Sequence, residues 1–426
     1  MKLTGYQKFV IAVLAFLQFT VILDFLILSP LGAVLLPELH VATSQFGLLV
    51  SVYAFSAATS GLLTAGFADK FDRKKLLLFF YTGFIAGTAL CGVAQSYHFL
   101  LAARIITGLF GGVIGSITMA IAADLFPLEQ RGRVMGVVQT AFAASQVMGL
   151  PVGLYLSNKW NWHAPFLMIA GIGTAVGVVI FMGLKPIDAH LKLKNDRNAF
   201  QHLLKTVTRP QYLRGYAATI LLATGGFMLM PFSSAFTVNN LGISLDHLPT
   251  IYFVTGISSI IMGPLLGRLS DSAGKYPVFC FGSILGLITV IIYCHLGLTP
   301  LWGVILVNVV LFMGISARMV SASALISAVP DAPDRGAYMS VNSSVQQFAG
   351  GMAAGLAGLV VVQTRSGRLE HYDILGFIVA AAMLVTIGLM YSIQKIAKSR
   401  LAKPASLPMT SSPQPTAEKE TVPVPD

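Results

Sequence analysis

Three charged residues stand inside long apolar stretches of this chain: Asp24 midway along the first, Arg104 in the fourth and Arg318 deep in the tenth. A charge in such a stretch is costly unless it is paired or wet, so each is a candidate for function. A carboxylate in a low-dielectric cavity can exchange a proton near ordinary pH, and neutralising it removes the cost of carrying it through an occluded state. Asp24 is therefore the candidate proton-coupling acid, for which a cationic or polar substrate could compete. The alternatives are a structural partner for an arginine or a helix-end hydrogen bond. Arg104 equally suits a clamp on the first helix. Arg318 lies between Ser316 and Ser321 with no acid at matching depth in the second half of the chain. A buried guanidinium there needs carbonyls, water or an anionic group on a cargo, such as a carboxylate or phosphate. Uncharged amides at Gln139, Gln146, Asn342, Gln346 and Gln347 could hydrogen-bond a cargo or serve as glue between helices.

These residues have to be held by membrane-spanning helices. Hydrophobic residues make up 55% of the 426 and charged residues 11%, with a mean hydropathy of +0.76, too apolar for a soluble globular chain. Spans of roughly 20 residues or more fit at 8–37, 44–67, 76–96, 99–122, 134–156 and 163–184. Six more fit at 214–238, 248–269, 277–296, 301–328, 337–362 and 372–394. The expected fold is all-α and polytopic, with twelve transmembrane helices in two pseudo-symmetric six-helix bundles. The first bundle covers 1–184, a cytoplasmic linker 185–213, the second bundle 214–394 and a disordered cytoplasmic tail 395–426. Pro30 should kink the first helix and Pro231 its repeat, where the counterpart of Asp24 is Gly225 and that of Arg104 is near Asn308.

The net charge of +11 does not mark a nucleic-acid partner. With the N-terminus inside, 23 of the 28 Lys and Arg residues fall in cytoplasmic segments. Lys159, Arg365 and Arg368 lie outside, and Arg104 and Arg318 lie in spans, so the surplus is the positive-inside signal. The expected location is the inner (plasma) membrane, with both termini cytoplasmic. The first apolar run is too long for a signal-peptide core. Cys91, Cys280 and Cys294 and the eight scattered histidines lack metal-ligand spacing, so no metal is expected.

Two loops are written twice. Gly66-Phe67-Ala68-Asp69-Lys70-Phe71-Asp72-Arg73-Lys74 returns as Gly267-Arg268-Leu269-Ser270-Asp271-Ser272-Ala273-Gly274-Lys275, and the dipeptides Arg131-Gly132 and Arg335-Gly336 are 204 positions apart. Halves that share loops at one offset point to two similar bundles around a shared cavity. Asp69, Arg73 and Asp124 are expected to form a charge cluster that latches helix ends, with Asp271 and Lys275 as the second copy and Gly66 allowing close approach. Simple topology anchoring is the alternative.

The loop Gly66 to Lys75 resembles the signature Gly-x-x-x-Asp-x-x-Gly-Arg-Lys of the major facilitator superfamily, with Asp72 replacing a glycine that Gly274 restores in the second copy. Arg104 with Gly108 is similar to the family's fourth-helix Arg-x-x-x-Gly motif, and Gly149-Leu150-Pro151-Val152-Gly153 to its fifth-helix antiporter motif. The closest likeness is to bacterial 12-span drug:proton antiporters and sugar-efflux proteins. The resemblance implies the major facilitator fold, with bundles that rock about a central site. It also implies that Arg104 supports proton coupling or binds nearby backbone, and that Asp69, Arg73 and Asp124 lock the outward-facing state. The expected function is proton-coupled efflux of small amphipathic compounds, drug-like or sugar-like. The proton gradient supplies the energy, no cofactor is needed, and the carrier works as a monomer in the lipid bilayer. The alternatives are uptake or uniport of a sugar or organic anion, and a non-transporting membrane receptor. An enzyme is not expected, since no Gly-x-x-x-x-Gly-Lys-Ser/Thr loop is present.

Overall fold

Proline 30 has no N–H to donate to Leu26, and in the computed structural model the first helix, α1 (Gly5–Ile27), stops just before it. After one turn the chain resumes as α2 (Gly32–Glu38). Its repeat behaves the same way. Helix α9 (Pro210–Phe227) gives way at Pro231 to a 3-10 turn, Met230–Phe232, and then α10 (Ser233–Asn239). The structure describes residues 3–64, 68–188, 191, 206–331 and 334–401. Gly66, most of the 185–213 linker and the tail from 402 lie outside them, as does the side chain of Asp69.

The first half continues with α3 (Thr43–Thr64), α4 (Arg73–Gly92) and α5 (Tyr97–Leu125). Helix α6 (Leu128–Ala144) runs through a π turn at Ser145–Gly149 into α7 (Leu150–Lys159), and α8 (Ala164–Gly183) completes the half. The second half continues with α11 (Leu248–Ser272), α12 (Lys275–Cys294), α13 (Leu301–Ser327), α14 (Arg335–Val360) and α15 (Tyr372–Leu401). A two-residue hairpin, Val362–Gln363 paired with Leu369–Glu370, links α14 to α15. Among the described residues every expected span is occupied by helix, and eleven helices are long and apolar enough to cross a membrane. The span expected at 337–362 is filled by α14, which is less apolar than the other spans. Glycines, serines, Asn342, Gln346 and Gln347 dilute α14, because that helix packs against a partner helix along much of its length.

That partner is α3, from the other bundle. A Cβ on Gly358 would stand 2.7 Å from the Thr43 carbonyl oxygen, and one on Gly47 would stand 2.8 Å from that of Ala354. Only glycine lets the two backbones approach so closely. The hydroxyls of Thr43 and Ser51 then donate across the seam to the carbonyls of Val361 (2.6 Å) and Gly351 (2.7 Å). The two helix breaks also meet. The Ser234 hydroxyl donates to the Ser29 carbonyl at 3.1 Å and accepts from the Ala33 amide at 3.3 Å. Asn158 at the end of α7 donates to the carbonyl of Leu245 in the second half.

All these bonds lie toward the end opposite the chain's N-terminus. One apolar core there draws on both bundles, including Leu31, Phe46, Phe232 and Ala357. Toward the terminal end the apolar cores are separate, one built from residues 10–187 and another from 212–393. The bundles are thus pressed together at the far end. Widening the glycine seam should prise that end open. A Gly358→Val substitution is expected to lengthen the distance between spin labels at the exposed far-end positions His40 and Leu298, measured by pulsed electron resonance.

Candidate functional site

Asp24, Arg104 and their neighbours converge in the middle of the first bundle. Arg104 Nη1 donates to Asp24 Oδ2 at 2.8 Å, and the Thr88 hydroxyl on α4 donates to Oδ1 at 3.0 Å. Both carboxylate oxygens are therefore engaged. The guanidinium also lies over the Tyr53 ring, 4.4 Å from its centroid, a cation–π contact. Asp24 and Arg104 are 0% and 1% exposed, so the pair is sealed from solvent in this conformation. Cys91 sits beside it, its sulfur 3.8 Å from the Thr107 hydroxyl. The pair clamps α1 to α5 just before the Pro30 break, which is the structural role weighed for both residues. Protonating Asp24 would leave the Arg104 charge without its counter-ion.

Aromatic rings connect this pair to the other bundle. Tyr53 packs on Phe25 at 5.3 Å between centroids, and Phe25 meets Phe227 of α9 edge-on at 5.7 Å. A Cβ on Gly350 would touch the Phe227 ring. The run Phe227 to Phe232 around Pro231 is therefore interior packing between bundles, with Phe232 edge-on to Phe46.

The fifth-span motif packs against the same part of α1. A Cβ on Gly149 would lie 2.6 Å from Leu23 Cδ1, and one on Gly153 would lie 2.7 Å from Ile27 Cδ1. Pro151 cannot complete the helical bond to Val147, and the strand of backbone before it relaxes into the π turn. Gly256 of α11 lies against that turn, at Gln146 and Val147. Gln146 and Gln346 are half-buried and Gln139 is exposed. Asn342 accepts from Thr219 at 2.6 Å, which makes it glue between α14 and α9.

At the terminal end of the first bundle, Arg73 Nε donates to Asp124 at 3.0 Å and Nη1 donates to the Ala68 carbonyl. Asp72 departs from the family glycine because it has other work. It caps α4 at the Lys75 amide and accepts from the Ile187 amide at 2.7 Å. Arg73 and Asp124 are joined while the far end is shut. Both belong to one bundle, so this pair alone does not distinguish one state of the bundles from another. The expected second copy, Asp271 with Lys275, is an exposed bond one helical turn apart, and Gly274 keeps its glycine because its φ is +96°. Sequence reasoning missed a cluster at the terminal end of the second bundle, where Arg209 pairs with Asp334 and the Tyr212 hydroxyl donates to Asp334 at 2.7 Å. Asp334 stands in the second repeated loop, which was the available signal. Arg318 lies on α13, buried beside Gly225, away from the Asp24 pair.

Two helical bundles with matching proline breaks, closed at one end and holding a sealed ion pair, form the architecture of a secondary transporter. The chain belongs to the Major Facilitator Superfamily, whose family model matches residues 14–354. It is similar to the uncharacterised MFS-type transporter YceJ of Bacillus subtilis (strain 168), 26% identical over 272 residues, which is 63% of this chain and 68% of that one. YtbD of the same strain, also an uncharacterised MFS-type transporter, is 28% identical over 234 residues, 55% of this chain and 58% of its own length. The fold matches a bacterial homologue of the human lysosomal transporter Spinster, in its inward-facing, unoccupied conformation. That match has a TM-score of 0.68 and 16% identity, over 93% of this chain and 97% of that one. It also matches the human organic anion transporter MFSD10 (TETRAN), with a TM-score of 0.66 and 17% identity, over 91% and 100%.

Removing one partner of a buried ion pair leaves the other charge uncompensated, at a cost of about 3–5 kcal/mol. Arg104→Met should therefore destabilise the protein strongly. The double variant Asp24→Asn/Arg104→Met should recover much of the loss, read as thermal unfolding of the purified protein.

Proposed function

We propose that this chain is a proton-coupled secondary transporter that exports small amphipathic compounds across the inner membrane by alternating access. The observation that carries the reading is the Asp24–Arg104 pair, whose partners are both fully buried. A transporter needs a group whose charge changes with the proton and that touches the moving parts. The pair is net neutral when Asp24 is ionised. Tyr53 and Phe25 connect it to Phe227 across the bundle interface, and Leu23 and Ile27 connect it to the α6–α7 bend.

Protonating Asp24 frees Arg104 Nη1 from its carboxylate and weakens the clamp between α1 and α5. The bundles can then separate at the far end, where Ser29, Ala33 and Ser234 hold them. The groups that face Asp24 are Arg104, Thr88, Tyr53 and Cys91, and Arg104 is the only cation among them. With the positive-inside distribution placing the terminal end in the cytoplasm, the present arrangement is closed to the outside. The export direction rests on the likeness of Gly149, Pro151 and Gly153 to the antiporter motif, and on their packing against α1 beside Asp24. The Arg73–Asp124 and Arg209–Asp334 pairs then brace the cytoplasmic ends of each bundle. The carrier acts as a monomer and needs no cofactor beyond the proton gradient.

In proteoliposomes, wild type should move cargo uphill when a pH gradient is imposed. Asp24→Asn should lose that accumulation to background while retaining cargo exchange between equal pools. Full proton-driven accumulation by the variant would overturn the coupling role.

A further inference from the structure

The second bundle carries a charge that coupling at Asp24 leaves unused. Arg318 is 4% exposed, and its Nε and Nη2 meet no acceptor among the described residues. No carboxylate among them pairs with it either. The Phe279 ring centroid lies 5.8 Å from its guanidinium carbon, and Gly225 lies beside its Nη1. Gly225 occupies the position that Asp24 holds in the first bundle, and a Cβ placed there would stand 3.4 Å from Arg318 Nη1. The first bundle thus supplies an anion for its buried arginine from its own chain. The second replaces that anion with a residue that has no side chain.

An uncompensated guanidinium in a low-dielectric interior destabilises the protein that holds it. The residues that follow Gly225 lead to the bundle interface. Gly226 is exposed with nothing within 4 Å of a Cβ there, and Phe227 reaches across to Phe25. We propose that Arg318 is the receptor for a single oxyanion on the cargo, a carboxylate first, whose apolar body lies against the half-buried rings of Phe25 and Phe227. The planar fork of arginine matches a carboxylate with two parallel hydrogen bonds. Charge balance selects a monoanion: Asp24 and Arg104 cancel, Arg318 leaves one positive charge among the three, and one negative charge on the cargo neutralises it. This assignment deepens the export reading and rests on it, since it names the class of compound carried.

The test is thermal unfolding of the full chain in lipid nanodiscs, with 4-phenylbutyrate, its neutral amide and 4-phenylbutylamine as probes at fixed chloride. Phenylbutyrate should raise the wild-type midpoint by about 2 °C or more, and the amide and amine should not. Arg318→Gln should melt above wild type without probe, because it removes the uncompensated charge, and should lose the phenylbutyrate response. Arg318→Lys should keep part of that response. A phenylbutyrate response that survives in Arg318→Gln, an equal response to the amide, or no wild-type response to phenylbutyrate would overturn the assignment. Each of those results leaves proton coupling at Asp24 standing. Conversely, an Arg318-dependent response in a protein whose transport ignores the proton gradient would remove the coupling reading and keep the anion site.

Discussion

A charge in the apolar interior of a membrane protein must find an opposite charge, and the middle of this molecule is organised by that requirement. Asp24 and Arg104 come from helices 80 residues apart in sequence. Their bond fixes how α1 lies on α5, and Thr88 and Tyr53 complete the shell around them. The pair is sealed and net neutral while Asp24 is ionised, and in the proposed function a single proton changes its charge. Breaking or reforming one bond of this kind is worth several kcal/mol. That is comparable to the energy needed to shift a two-state equilibrium from one side to the other.

The surrounding packing makes the pair's state matter elsewhere. Phe25 follows Asp24 directly and touches both Tyr53 and Phe227, so a movement of α1 is felt by the second bundle. The glycines at 149 and 153 press the bend of α6–α7 onto Leu23 and Ile27, and Gly256 of α11 rests on the same bend. The proline breaks of α1–α2 and α9–α10 meet through Ser29, Ala33 and Ser234. Small residues and short hydroxyl bonds at the closed end are suited to a contact that must form and part repeatedly. The hydroxyl bonds are individually weak, and the aromatic contacts Phe46–Phe232 and Phe25–Phe227 lie beside them.

Much of this was legible in the amino-acid sequence. The helices follow from apolar runs, and both breaks follow from Pro30 and Pro231. Asp24, Arg104 and Arg318 stand out because charge is rare in such runs. The pairing of Asp24 with Arg104 was legible only as one alternative, because nothing in the spacing of residues on separate helices says which side chains face each other. Thr88 and Tyr53 gave no signal, since threonine and tyrosine are ordinary residues in a membrane helix. The π turn was hidden too, although Pro151 marks its place. The second bundle shows the limit of repeat reasoning. Its copy of the signature loop holds the local Asp271–Lys275 ion pair, while Arg209 and Asp334, drawn from other loops, pair at its terminal end. Asymmetry between the halves is the more informative reading: one holds a paired acid, the other an arginine beside a glycine.

The claim on which the rest depends is that the Asp24–Arg104 pair exchanges a proton in step with cargo. The direct measurement is proton release from the purified protein in weakly buffered solution as cargo is added, for wild type and Asp24→Asn. Stoichiometric release from wild type that disappears in the variant is the expected result. Cargo binding with no proton released, or release that persists in Asp24→Asn, would contradict it and reduce the pair to a structural clamp.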